Sequence, residues 1–238
     1  MLDHLLLFIG AFIAAAISGA AGFGGALLLL PLLTHTVGAE LAVPLLTLAQ
    51  FVGNLSRVAF GFRQIHWRPV GLFLAAALPA AVLGALSFVT IPRAVVIRLI
   101  GVAILGFVAL RCSGRLQFAA GTRTLLAGGA LTGFLSGLVG SAGPLGAAVF
   151  LSLGLPPVAY IASEATTALT LHAAKTVVYQ SHLSLSADAW LLALSLGVAM
   201  ILGTWASKRF IERLQPDRFR LFVTVLLAVI ALQMIIFG

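Results

Sequence analysis

Apolar residues fill eight stretches of this chain, separated by short polar or basic connections. They are Leu5–Leu33, Leu41–Phe62, Val70–Val89, Ala94–Leu110, Leu125–Leu155, Ala159–Tyr179, Ala189–Trp205 and Phe219–Phe237. Most match the ~20 residues that cross a hydrocarbon core as helix. The pattern predicts an all-α membrane protein, with residues 1–238 as a single polytopic domain. The first and fifth stretches are half as long again and are broken by glycine. In "SGAAGFGGALLLLPLL" (18–33), Gly19, Gly22, Gly24 and Gly25 fall within seven residues, although glycine weakens a helix interior. The flanks Leu5–Ile17 and Ala26–Leu33 would make helices of ~20 and ~12 Å, too short to span. Two half-helices meeting at mid-membrane are therefore expected, with a merely kinked helix as the alternative.

The long stretches match each other. An offset of 118 lays "SGAAGFGGAL" (18–27) over "SGLVGSAGPL" (136–145), so that Ser18, Gly19, Gly22, Gly25 and Leu27 meet Ser136, Gly137, Gly140, Gly143 and Leu145. The same offset puts Asn54 on His172 and Arg57 on Lys175, and at 119 "VLGA" (82–85) falls on "ILGT" (201–204). This reads as an internal duplication, repeats 1–118 and 119–238. Each repeat would be a glycine-broken hairpin segment followed by three transmembrane helices.

Composition agrees with lipid as the main solvent: 61% of residues are apolar and 8% charged, against about a quarter charged in soluble domains. The net charge of +8 could suggest nucleic acid, but the basic residues sit in short connections, where they set topology and meet anionic headgroups. If all eight stretches crossed, the loop charges would divide seven against five. If the first and fifth enter and leave without net crossing, ten fall together: Arg63, Arg68, Arg111, Arg115, Arg123, Lys208, Arg209, Arg213, Arg218 and Arg220. Only Arg93 and Arg98 then oppose them, the asymmetry of a positive-inside protein. That arrangement inverts one repeat relative to the other, as in many secondary transporters. It places the basic loops in the cytoplasm of a multi-pass protein of the inner membrane. Tyr160, Tyr179, Trp67, Trp190 and Trp205 stand at stretch ends, the expected place of interfacial aromatics. The first stretch follows Asp3 and His4 rather than a basic run, so no signal peptide is evident. Cys112 is alone and can form no internal disulfide.

Polar residues inside the stretches carry the candidate chemistry. A glycine break at bilayer depth leaves backbone groups that lipid cannot satisfy, so it must be buried or line a polar cavity. The N-terminus of the following half-helix presents free N–H donors, which suit an anion. Glycines used only for close helix packing are the competing reading. On the second stretch Thr47, Gln50, Asn54 and Arg57 share one helical face. On its repeat-mate, the sixth, Glu164, Thr167, His172 and Lys175 form a broader stripe. Ionisable groups at this depth are functional candidates. Arg57 and Lys175 could instead snorkel, Glu164 could meet interfacial water, and His172 could simply pack. The other histidines have no metal-ligand spacing, no HExxH, GxSxG or CxxC occurs, and no second intramembrane carboxylate partners Glu164. No cofactor, metal site or catalytic residue is expected.

The two glycine motifs, "SGAAGFGGALLLLPLL" and "GFLSGLVGSAGPLGAAVFLSLG", each opening a half of about 119 residues, resemble the paired signatures of the TauE/SafE sulfite exporter family. The resemblance covers the whole chain, including the LG-containing third span of each half. The second motif departs from the glycine-rich form at Ala142 and Pro144. The resemblance implies an inner-membrane carrier that exports sulfite or organosulfonates, hence a small anionic substrate. The expected substrate site is Gly22, Phe23, Gly24 and Gly25 with Gly140, Ser141, Ala142 and Gly143, supported by Gln50, Asn54, Arg57, Thr167 and Lys175. Glu164 and His172 are the candidates for proton coupling. Another anion, uptake instead of export, a membrane assembly subunit and, last, a membrane enzyme are the alternatives. Cargo, direction, coupling ion and oligomeric state are not encoded legibly.

Overall fold

A computed structural model describes residues 2–23, 25–86, 98, 101–102, 104–106, 108–109, 121–139, 143–179 and 187–237. The described residues are all-helical and contain no strand. In chain order the helices are α1 (Leu2–Ala21), α2 (Gly25–Val37), α3 (Ala39–Gly61), α4 (Trp67–Leu86), α5 (Thr122–Val139), α6 (Gly143–Leu151), α7 (Pro157–Tyr179), α8 (Ala187–Ile211) and α9 (Pro216–Phe237). A 3-10 turn, Phe62–Gln64, joins α3 to α4, and the described residues within 98–109 are helical.

Five helices contain windows long and apolar enough to cross a membrane: His4–Ala21, Leu45–Gln64, Trp67–Gly84, Ala187–Ile211 and Pro216–Ile236. α9 shows why composition runs so apolar. Val223, Leu227 and Ala231 are fully buried, while Leu221, Val225, Val229, Leu232 and Ile236 stay exposed on the other side. Apolar residues on both faces require lipid outside as well as protein inside. α7 falls short of that apolarity because Ser163, Glu164, Thr166, Thr167, Thr170 and His172 stud it. Its segment 159–165 is buried in protein instead.

Two cores form. One gathers α1, α2, α3 and α8 around Leu7, Leu29, Leu45 and Leu196. The other gathers α4, α6, α7 and α9 around Phe73, Phe150, Tyr160 and Phe219, and takes Phe23 from the first break. The two most extensive helix pairs are α4 with α5 and α1 with α8, and α3 packs on α7. Small residues permit the close approach of these pairs. A Cβ on Gly84 would strike the Phe134 backbone, one on Gly133 the Ala77 backbone, and one on Gly203 the backbone at Phe12 and Ala16. With no strong hydrophobic force between helices in lipid, this backbone proximity supplies much of the attraction through dispersion.

The first stretch departs from expectation. α1 holds 20 residues, or ~30 Å, so it is long enough to span, whereas α2 with 13 residues is not. The short-flank reading took the motif's Ser18 and Gly19 as the start of the break; the structure keeps both helical. Gly19 lies against Thr204 and Ser207, and Ser207 is four residues from the end of α8 at Ile211. The tip of α1 therefore stands level with the last turns of α8 and not with its middle. Tyr160 also departs from its expected interfacial place: it is buried, at 1% exposure. Trp67, Trp190 and Trp205 are exposed, and the Tyr179 side chain lies outside the described residues.

Gly133→Leu and Gly203→Leu should each destabilise the detergent-solubilised protein by about 1–3 kcal/mol or more through overpacking. Gly71→Ala, where an added Cβ meets nothing within 4 Å, should not lower the unfolding temperature and should raise it slightly, since alanine favours a helix interior.

Candidate functional site

α1 ends because Gly22 takes φ +89°, a left-handed conformation open to glycine at little cost. The Gly22 N–H still donates to the Ser18 carbonyl at 2.7 Å. Beyond that bond the chain leaves the helix, and the Ala21 and Gly22 carbonyls point onward with no helical donor among the described residues. Arg57 on α3 brings donors to this end. Its Nη1 donates to the Ser18 carbonyl at 3.1 Å and to the Gly22 carbonyl at 2.6 Å. Its Nη2 donates to Asn54 Oδ1, one turn back on α3. Tyr160 on α7 completes the cap: its hydroxyl donates to the Ala21 carbonyl at 2.9 Å, and its ring lies where a Cβ on Gly22 would have to go. A cation at a helix C-terminus also opposes the helix dipole favourably.

Arg57 does not snorkel. Its side chain is 5% exposed, and its Nη1 lies 3.5 Å from Glu164 Oε2, itself 3% exposed. Arg57 and Glu164 join the two helices, α3 and α7, that carry the matched polar stripes. Burying both charges is costly, and the geometry repays it only because the guanidinium also has three hydrogen bonds. Some polar atoms have no hydrogen-bond partner among the described residues: Gln50 Nε2, Arg57 Nε, Thr132 Oγ1 and Glu164 Oε2.

A cavity of about 40 Å³ lies next to the pair, bounded by α4, α5, α6 and α7. Thr132 and Ser136 of α5 line it with Gly143 and Gly146 of α6, Glu164, Thr167 and His172 of α7, and Phe73 of α4. Thr167 Oγ1 donates to the Glu164 carbonyl at 2.8 Å. Gly143 is the first residue of α6, so the cavity sits at a helix N-terminus, where first-turn N–H groups lack intrahelical partners.

The expected site residues thus divide between two places. Gly22, Asn54 and Arg57 form the cap on α1, with buried Phe23 beside it. Gly25 opens α2, and a Cβ there would come within 2.9 Å of Ser18 Oγ and 3.1 Å of Gln50 Nε2. Gly143, Glu164, Thr167 and His172 line the cavity. The two breaks approach one another, since a Cβ on Gly143 would lie 3.9 Å from that of Phe23. Gly24, Gly140, Ser141, Ala142 and the Lys175 side chain lie outside the described residues. Among the described residues, no group of three or more His, Cys, Asp or Glu side chains could hold a metal.

Sequence reasoning missed Tyr160, Ser18, Thr132 and Ser136. Ser18 and Ser136 were visible as repeat-mates, and their places show why: each lies on the inner face of its helix. Thr132 carried no signal beyond its place one turn before Ser136. It also missed the Arg57–Glu164 pair, which joins residues on two separate helices.

The family model described as Sulfite exporter TauE/SafE matches residues 7–234, and the chain belongs to that family. No curated protein and no solved structure matches it. Membership in a transporter family, together with the apolar helices, makes this a multi-pass membrane protein.

Removing one partner of the pair should be worse than removing both. Arg57→Met should cost about 3–5 kcal/mol by stranding Glu164, and Arg57→Met with Glu164→Leu should recover part of it. Tyr160→Phe should cost about 1 kcal/mol through its lost hydrogen bond. Thermal unfolding of the purified protein reads all three.

Proposed function

We propose that this TauE/SafE member is a secondary transporter that exports sulfite or a related sulfur oxyanion across the inner membrane, without chemistry on its cargo. The observation that carries the reading is the cavity at the α6 N-terminus, lined in part by polar side chains and in contact with a buried ion pair inside otherwise apolar helices. A sealed structural protein gains nothing from such a void, since an unfilled space forfeits packing and a polar one needs an occupant. Intramembrane ionisable groups beside a helix N-terminus suit an anion moving through the bilayer.

The cargo would sit at the α6 N-terminus, with Thr132, Ser136 and Thr167 as neutral partners and His172 at the far side. Arg57 holds the first break in place and keeps positive charge next to Glu164. Lys175, one turn beyond His172, is proposed to supply charge on the path, and Gly140, Ser141 and Ala142 to complete the second break. Glu164 and His172 are proposed to move protons with the cargo.

Two observations support inverted repeats, the arrangement that gathers the basic loops on one side, proposed to be the cytoplasm. Lys208 Nζ lies 5.8 Å from the centre of the Phe60 ring, so α3 and α8 finish at the same end of the molecule. Eight full crossings would put those ends on opposite sides. The pairing is also reciprocal: Gly84 of α4 packs at Phe134, and Gly203 of α8 at Ala16. By the sequence offsets, Gly84 matches Gly203 and Ala16 matches Phe134.

In a Cys112→Ser background, Gln64→Cys and Gln215→Cys should both resist a membrane-impermeant maleimide applied to intact cells. Labelling of just one from outside would sink the inverted reading. In proteoliposomes loaded with sulfite, Arg57→Ala and Lys175→Ala should each slow efflux by at least about tenfold, or ~1.4 kcal/mol of barrier. Full-rate efflux from both variants would remove these residues from the path, and no efflux from the parent protein would remove sulfite as cargo.

A further inference from the structure

We infer that the cavity at the α6 N-terminus selects an oxyanion still carrying one proton, such as hydrogen sulfite, over the dianion. The inference rests on the transport reading for the class of cargo and on the cavity's own hydrogen-bond chemistry for the species. Size speaks first. At about 40 Å³, the space holds roughly three waters at ~10–15 Å³ each. That is the scale of a pyramidal ion of four heavy atoms, with Phe73 and Leu171 on the wall.

The hydrogen-bonding pattern speaks second. Glu164 Oε2 is buried and accepts no hydrogen bond, even with Arg57 Nη1 at 3.5 Å. The one hydroxyl hydrogen of Thr167 is spent on the Glu164 carbonyl, so toward the cavity its oxygen only accepts. Against these acceptors stand donors: Thr132 Oγ1, 3% exposed and without a partner among the described residues, and the first-turn N–H groups of α6. Pro144 removes one of those, having no N–H. A cavity presenting both acceptors and donors matches a ligand that is both. The ion's O–H donates to Glu164, and its bare oxygens accept from Thr132 and the α6 backbone. A dianion would bring two negative charges to a carboxylate and offer it no hydrogen. Stranding a buried acceptor in this way discriminates strongly.

Among the described residues, the charged and titratable groups near Glu164 are Arg57 from α3, and Tyr160 and His172 from its own helix. The lining from α4, α5 and α6 contributes Phe73, Thr132, Ser136, Gly143 and Gly146, none of which titrates. The test must therefore separate protonation of the ligand from protonation of His172 or Glu164. Binding to the purified full chain, read by calorimetry across pH, is compared for sulfite and selenite, whose second ionisation lies at higher pH. If the protonated ion is the ligand, affinity falls as each anion loses its last proton, and the selenite midpoint lies above the sulfite midpoint. A shared midpoint assigns the effect to a protein group and overturns the inference. Affinity rising with the dianion, or absence of binding, also overturns it.

Glu164→Gln removes the carboxylate and mimics its protonated form, so it should weaken sulfite binding by at least about tenfold at the pH where the parent binds best. Undiminished affinity would mean that a protonated Glu164 meets the dianion and would overturn the inference. Should that variant not fold, Thr132→Val should weaken sulfite binding severalfold and leave the midpoints apart. Because binding is read separately from flux, pH-dependent binding beside a silent efflux assay would remove the transport reading and leave the species selection standing.

Discussion

A helix that stops inside protein-covered membrane leaves carbonyls with no water to take them, and everything at this centre follows from that deficit. Arg57 answers it with a group that can satisfy two carbonyls and a side-chain amide at once, a forked geometry that lysine lacks. The solution creates a second problem, a buried cation, and Glu164 on the neighbouring helix answers that one. The first glycine break, the α3 polar face and the α7 polar face thus form a single chain of obligations. Removing any member strands the next.

The sequence made the membrane class, the polar faces and the glycine breaks readable, each for a local reason. Long apolar runs report lipid directly, and residues at helical spacing share a face whatever surrounds the helix. Gln50, Asn54 and Arg57 are buried together for that reason. Contacts between helices were not readable. Glu164 and Arg57 lie 107 positions apart, and no spacing rule joins residues on separate helices. Tyr160 misled because position near a stretch end looks the same for an aromatic that faces headgroups and one that turns inward. The depth of the first break misled for a related reason. Gly19 looks like a break residue in the string, but it is helical and serves as the contact surface for Ser207, a role that only the partner helix reveals.

The repeats hold matched positions with different chemistry, and the differences locate the cavity. At the first break Gln50 lies beside Gly25; its counterpart at offset 118 is Ala168, which lies with Gly143 on the cavity wall. A side chain that reaches the break in one half is thus replaced by a methyl in the other. Arg57, which caps the first break, corresponds to Lys175, and Asn54, which orients Arg57, corresponds to His172 on the cavity wall. Glu164 itself stands where the first half has Leu46. In the first half the amide, the asparagine and the forked cation converge on the break. In the second half the alanine, the histidine and a carboxylate line the cavity.

That division bears on how such a protein could alternate between states. A break held by Arg57, Asn54 and Tyr160 through several simultaneous hydrogen bonds is stiff, because opening it exposes carbonyls to no substitute donor. On the cavity side, Thr132 Oγ1 and Glu164 Oε2 have no hydrogen bond among the described residues. A ligand entering there can gain bonds at those two atoms, whereas a ligand entering the first break would first have to displace Arg57. Arg57 touches both regions, so changes in charge at Glu164 reach the α1 tip through one side chain. The ion pair is therefore one physical route by which occupancy of one repeat can be felt in the other, beside the direct approach of Phe23 to Gly143.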